Sequence, residues 1–279
     1  MAEIWGPLHI ENTVSTEGKD GISRASIEIF PSPTIGERVI RTLGGTGVKV
    51  NVASSPSLGI DSTINLSRQL VVNGFSVVPH IGAQEVHDKT HLANIAEQIT
   101  DLGINEVFVV KGDGQTKGKY RTAMQLMQDF AHTNLRLGAI GIAGYPEGVE
   151  GMTEEQLLNA IRARERLANN MGAELKIVTQ MCFDNEKILL YANNLKRNNI
   201  EAPVIVGLPI SENIRRLHEM AVRCRVGESK NTLLLEDLDS EYSSEGLVGE
   251  LLEGDEEGLV SGFHIYTFNK ILKTKGLLF

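Results

Sequence analysis

A chain of 279 residues with 41% hydrophobic and 23% charged side chains is long enough to bury one large core and has an ordinary globular composition. Its formal net charge of −9 gives no overall attraction to nucleic acid or to an anionic membrane, although a local basic pocket for a phosphate or carboxylate stays open. No run approaches the roughly 18 apolar residues of a spanning helix, and the opening MAEIWGPLHIENTVST lacks the basic-then-apolar order of a secretory signal, so a cytoplasmic protein is expected.

Short runs rich in Val and Ile alternate with stretches of helical period. The first run is 25–30 (ASIEIF), followed by Pro31, Pro33 and a helical stretch over 35–43. The second is 47–54 (GVKVNVAS), after which Asp61 reads as the N-cap of a helix ending at Gly74. Residues 76–81 (SVVPHI) form the third. Asp88 caps the next helix, whose buried face is Leu92, Ile95, Ile99 and Leu102 and whose stop is Gly103. The fourth and fifth runs are 105–111 (NEVFVVK) and 138–143 (GAIGIA). Thr153 and Gln156 make a capping box for a helix with a stripe of Leu157, Ile161, Leu167 and Met171, stopped at Gly172. The sixth run is 175–180 (LKIVTQ), and Asp184 opens a helix reaching about Asn198. The seventh is 203–208 (PVIVGL), with Ser211 capping a helix through about Val222. The eighth, 262–267 (GFHIYT), precedes a closing helix.

Eight strands separated by helices, with no Pro/Gly/Ser linker between them, imply parallel pairing through right-handed crossovers. They close into an α/β fold, a (β/α)8 TIM barrel spanning 1–279 as a single domain, with 1–23 as an N-terminal extension. An open doubly wound sheet competes, but no GxGxxG follows the first strand. Residues 225–261 are Leu- and acid-rich with weak periodicity, which suits either a solvated helical face with loops or a mobile element over the barrel mouth. The two cysteines, Cys182 and Cys224, have no metal-type spacing and read as small buried hydrophobes in a reducing compartment.

A barrel of this kind carries its chemistry at the C-terminal ends of the strands. On the first strand Glu28 sits among Ile27, Ile29 and Phe30. Desolvation there would raise its pKa and suit it to donate a proton near neutrality; the alternative is a structural Glu paired with an interior cation. The third strand ends in Pro79–His80, and such a lone His is also common as a structural residue. After the fourth, Lys111, Gly112, Asp113 and Gly114 put charge and backbone N–H groups at the mouth, which suits a phosphate or polar heterocycle, or a plain turn. Tyr145 follows the fifth strand and could stack on a planar ligand. Gln180 ends the sixth with an amide able to pair with a heterocycle edge, and the eighth carries His264, Tyr266 and Asn269. No metal-ligand spacing and no nucleophile elbow occurs.

In order along the chain stand SIEIFP, VPHI, KGD, AGYPEG, TQMCFD and HIYTFN, each at a predicted strand end. This succession resembles the methylenetetrahydrofolate reductase family from about residue 24 to 275, in its short, barrel-only form. The resemblance implies reduction of 5,10-methylenetetrahydrofolate to 5-methyltetrahydrofolate, with NADH or NADPH as co-substrate and FAD as cofactor. By position, Glu28 resembles the general acid that opens the five-membered ring, and Asp113 the carboxylate near the pterin and flavin. Gln180 and Tyr266, with Asp113, fall on the substrate side. Ser54, His80, Lys111, Gly112, Asp113, Tyr120, Ala143 and Tyr145 fall on the flavin side. The implied partners are the folate and the nicotinamide, without nucleic acid or membrane and with room for a homo-oligomer.

The flavin side carries departures from the family pattern. Lys111 replaces an Arg, Val149 a His, and Ala168 or Asn169 a Lys expected to hold the FAD phosphates. Met181 and Cys182 replace aromatics, and the helix after the seventh strand offers His218 in place of a Phe. Two other readings therefore stand beside the flavoenzyme: direct hydride transfer from the nicotinamide to bound folate, and a folate-binding barrel without redox chemistry.

Overall fold

The computed structural model describes residues 25–279 apart from Pro56, residues 113–117, Ser211 and Phe279. Eight parallel strands close into a barrel: β1 (Ser26–Ile29), β2 (Lys49–Val52), β3 (Ser76–Gly82), β4 (Glu106–Val110), β5 (Ala139–Gly144), β6 (Glu174–Thr179), β7 (Val204–Pro209) and, last in the chain, β10 (Val260–Tyr266). β10 pairs with both β7 and β1, so no edge is left open. Outside lie α1 (Ile35–Leu43), α2 (Ile60–Val71), α3 (Lys89–Asp101), α4 (Ala123–Phe130), α5 (Glu154–Asn170), α6 (Asn185–Arg197), α7 (Ile214–Arg223), α8 (Glu245–Gly254) and α9 (Ile271–Leu278). None of the described helices is long and apolar enough to cross a membrane.

Alternation along each strand divides the residues between two environments. Ile27, Ile29, Val50, Val52, Ile177, Val206, Leu208 and Ile265 face outward and are buried under the helices. The opposite faces fill the barrel. Pairing in register places Lys49, Glu106 and Lys176 towards its floor, Val78, Phe108, Val178 and Ile205 in the middle, and Glu28, His80 and Tyr266 towards the C-terminal mouth. On the floor, Glu106 Oε2 accepts from Lys49 Nζ at 2.8 Å and from Lys176 Nζ at 3.1 Å. Burial pushes the Glu106 carboxyl up, but the two ammonium groups outweigh it and hold the pKa below its ordinary value.

The predicted helix signals hold where the side chain reaches the backbone. Asp88 accepts from His91 N, both halves of the Thr153–Gln156 box form, and Asp184 accepts from Lys187 N. Asp61 is not a cap. Gly59, at φ 76°, turns the chain into α2 two residues earlier, and Asp61 lies in the first turn, where a carboxylate still favours the helix dipole. α2 ends at Val71, and Gly74, at φ 84°, closes the exit turn beyond it. Ser211 lies outside the described residues; the side chain that caps α7 is Asn213, accepting from Arg216 N. Cys182 is buried as expected, but Cys224 is exposed because it follows α7 as its C-cap.

Residues 225–261 contain a 3-10 segment (Glu228–Leu235), a two-residue strand β9 (Glu241–Tyr242) and α8. β9 pairs antiparallel with β8 (Glu212–Asn213), just after β7. Leu247, Val248 and Leu251 of α8 join the core, Ser244 Oγ donates to the Pro209 carbonyl, and Ser229 donates twice to Glu147.

Candidate active site at the barrel mouth

Three strands aim titratable groups at one point. Oε2 of Glu28 on β1 lies 3.7 Å from Nδ1 of His80 on β3 and 3.7 Å from Nε2 of His264 on β10. All three residues are buried, and these are ion-pair distances longer than a hydrogen bond. His264 is held from behind, its Nδ1 pairing with Ser26 Oγ at 2.8 Å, and its ring meets Tyr266 edge-on. His80 stacks on Phe108, and its Nε2 is buried without a hydrogen-bond partner.

The electrostatics correct one expectation. Burial does push the Glu28 carboxyl up, as predicted, but the facing His264 and His80 imidazoles outweigh it, and the pKa falls below its ordinary value. Burial drives His80 down to about 4, only partly offset by the Glu28 charge, so this imidazole is neutral at neutral pH. A place on the first strand singled out Glu28 but could not show that two histidines from distant strands would flank it. His264, noted only as a polar residue of the eighth strand, completes the cluster.

The other predicted positions divide. Tyr266 donates from its hydroxyl to the Thr179 carbonyl at 2.8 Å, and Thr179 Oγ1 accepts from Gly207 N at 3.0 Å, so β6, β7 and β10 interlock beside Glu28. Gln180, half-buried at the end of β6, donates from Nε2 to the Cys224 carbonyl after α7. Ala143 lines the barrel interior and Tyr145 the loop above it. Gly112 sits at φ 88°, a left-handed conformation that glycine adopts freely, while Lys111 is exposed and its carbonyl accepts from Gln84 N. Ser54 donates to Glu85 and Tyr120 to Asp129, which engages both hydroxyls within the protein. Asp113 lies outside the described residues.

Beside the mouth, the ends of β7 and β10 frame a cavity of about 630 Å³ lined by Arg38, Arg216, Lys270 and Lys273 against Glu212 and Glu241. Lys270 pairs with Glu212, and Lys273 with Glu241 at 2.9 Å. Four cations to two carboxylates make the cavity net positive in a chain of net charge −9. This is the local basic pocket that bulk charge left open, and no single motif marked it because its members come from four separate segments.

For a flavin, the mouth residues and the expected phosphate contact differ. His80, with its unpartnered buried nitrogen, and Gly112, Ala143 and Tyr145 suit a bound planar ring. Ala168, where a phosphate-holding Lys was expected, is fully buried in the core beneath α5. Among the described residues, no group of three His, Cys, Asp or Glu side chains could hold a metal.

Comparison with known proteins bears on the whole barrel. Solved structures of oxaloacetate acetylhydrolase (TM-score 0.50, 8% identity, 94% of this chain and 83% of that one) and of a putative phosphonomutase from Burkholderia cenocepacia J2315 (0.50, 13%, 92% and 93%) share the fold. A methylenetetrahydrofolate reductase (NADH) 1 of Zea mays is 28% identical over 206 residues, 65% of this chain but 34% of its own length. The chain thus spans about a third of that relative. A 5,10-methylenetetrahydrofolate reductase of Buchnera aphidicola is 23% identical over 71% of this chain and 68% of its own. The family model for methylenetetrahydrofolate reductase matches residues 38–278, and the chain belongs to that family.

Proposed function

We propose that the protein reduces 5,10-methylenetetrahydrofolate to 5-methyltetrahydrofolate with NADH or NADPH. The observation that carries this reading is the Glu28 carboxyl, buried at the mouth between His80 and His264. Ring opening of the substrate requires a proton on a ring nitrogen, and Glu28, ionised in the free protein, is the group placed to pass one there once it is protonated in the complex. Asp113 supplies a negative charge that favours the cationic iminium so formed. Gln180 and Tyr266 hold the pterin, and the cavity of Arg38, Arg216, Lys270 and Lys273 receives the carboxylates of the folate tail.

In the flavoenzyme form of this reading, FAD carries the hydride from the nicotinamide. His80, Gly112, Ala143 and Tyr145 would hold its ring, with Lys111 near its polar edge. A second form, direct transfer from the nicotinamide to the folate, is favoured by the buried Ala168 and by the internally bonded hydroxyls of Ser54 and Tyr120. The family's one-carbon chemistry fits a cytoplasmic site of action.

The spectrum and turnover of the purified protein test both forms. Flavin absorbance with NADH or NADPH oxidation dependent on methylenetetrahydrofolate supports the first. A colourless protein that turns over supports the second. Folate binding without turnover by either nicotinamide sinks both and leaves a folate-binding barrel.

A further inference from the structure

The two imidazoles facing Glu28 are built differently. His80 has one nitrogen towards the carboxylate and the other buried without a partner among the described residues, so its ring is not held from behind by a hydrogen bond there. His264 is gripped on its far side by Ser26, which fixes the ring so that Nε2 is directed at Glu28 Oε2. A serine hydroxyl can donate or accept. When it donates to Nδ1, a neutral His264 carries its hydrogen on Nε2, towards the carboxylate. When it accepts from Nδ1, Nε2 either carries a hydrogen as imidazolium or presents a lone pair to a protonated Glu28. Ser26 therefore accommodates both protonation states of Glu28 without movement of the ring.

We propose that His264, oriented by Ser26, is a positioning residue that sets how tightly Glu28 holds its proton. The inference rests on the proposed reduction only for its consequence, the pH at which turnover fails. The other groups around the carboxylate are Asn51 on β2, His80 on β3 and Tyr266 on β10. Of these, Asn51 does not titrate, Tyr266 stays protonated because burial and the Glu28 charge raise its pKa, and His80, with a pKa of about 4, shares with His264 the lowering of the Glu28 pKa. His264 is the one of the two imidazoles held from behind by a hydrogen bond, and so the one whose direction towards the carboxylate the fold itself sets.

Infrared difference spectra follow the Glu28 proton directly, through the carboxylic acid C=O band that Glu28→Gln removes. With His264→Asn, burial acts unopposed by that ring, so the midpoint of this band rises by about one pH unit or more. The alkaline limb of kcat with NADH or NADPH and methylenetetrahydrofolate moves up by the same interval. Ser26→Ala, which frees the ring, moves both in the same direction by less, and decides the matter if His264→Asn does not fold. An unmoved midpoint overturns the inference, and so does a fall in kcat with the pH profile unchanged. If wild type shows no turnover at all, a shifted infrared midpoint still upholds the assignment of His264, and only the reaction reading fails.

Discussion

The barrel encloses two polar clusters, and they are finished to different degrees. On the floor, one carboxylate meets two ammonium groups at hydrogen-bond distance, and the charges are matched to their geometry. At the mouth, one carboxylate stands 3.7 Å from two imidazoles, one of which has a buried nitrogen with no partner. Buried polar groups are normally satisfied, so the floor has the form of a structural element, whereas the mouth leaves a buried nitrogen unmatched by the described side chains. Burial and charge are present in both. What separates them is completeness.

That comparison breaks if the two clusters respond alike to substitution. The largest expected effect is Glu28→Gln, which lowers steady-state turnover about 1000-fold while folate binding and the urea midpoint stay near wild type. Glu106→Gln does the reverse: it leaves Lys49 without its carboxylate and Lys176 with only Glu174 at 3.9 Å, and costs about 1 kcal/mol of stability in urea unfolding, with turnover per folded molecule unchanged.

The clusters also separate on the pH axis. His80 has a folded pKa of about 4 against 6.5 in the unfolded chain, so the unfolded state binds the extra proton between these values and stability falls as pH drops from 6.5 to 4. His80→Gln flattens that window by on the order of 2 kcal/mol. Glu106, with its pKa depressed, contributes stability above its unfolded value that is lost as pH falls through the lower folded one, so Glu106→Gln flattens only the more acid range. Stability measured against pH for both variants would show one shared window if the comparison is wrong. The smallest effect concerns Asp255, which accepts from Leu259 N and Val260 N ahead of β10. Asp255→Ala costs about 1 kcal/mol in urea unfolding and leaves turnover in place.

Much of this was legible in the sequence, because strand and helix periods are local. The eight strand runs, the Asp88 and Asp184 caps and the Thr153–Gln156 box needed only neighbours a few residues apart. Glu28 at the mouth followed from its place on the first strand of a barrel. What failed to show depends on distance along the chain. The lowered Glu28 pKa needs His80 and His264, 52 and 236 residues away, to arrive at one atom. The Lys49–Glu106–Lys176 floor needs three strands in register, and the cationic cavity needs four segments. Residues 225–261 read poorly because Leu247, Val248 and Leu251 bury only a narrow face of a short helix, too few positions for a clear period.

Gly207 contributes no side chain to any of this, yet the shape of the mouth depends on it. A Cβ there would overlap the Thr179 carbonyl oxygen and stand 2.5 Å from the Tyr266 ring. The backbone oxygen cannot step aside, so even alanine at 207 would evict the ring and release its hydroxyl from Thr179. The phenol would then lose its fixed place beside Glu28 at the mouth. A position without functional groups can thus fix the arrangement of the mouth through the room it leaves empty.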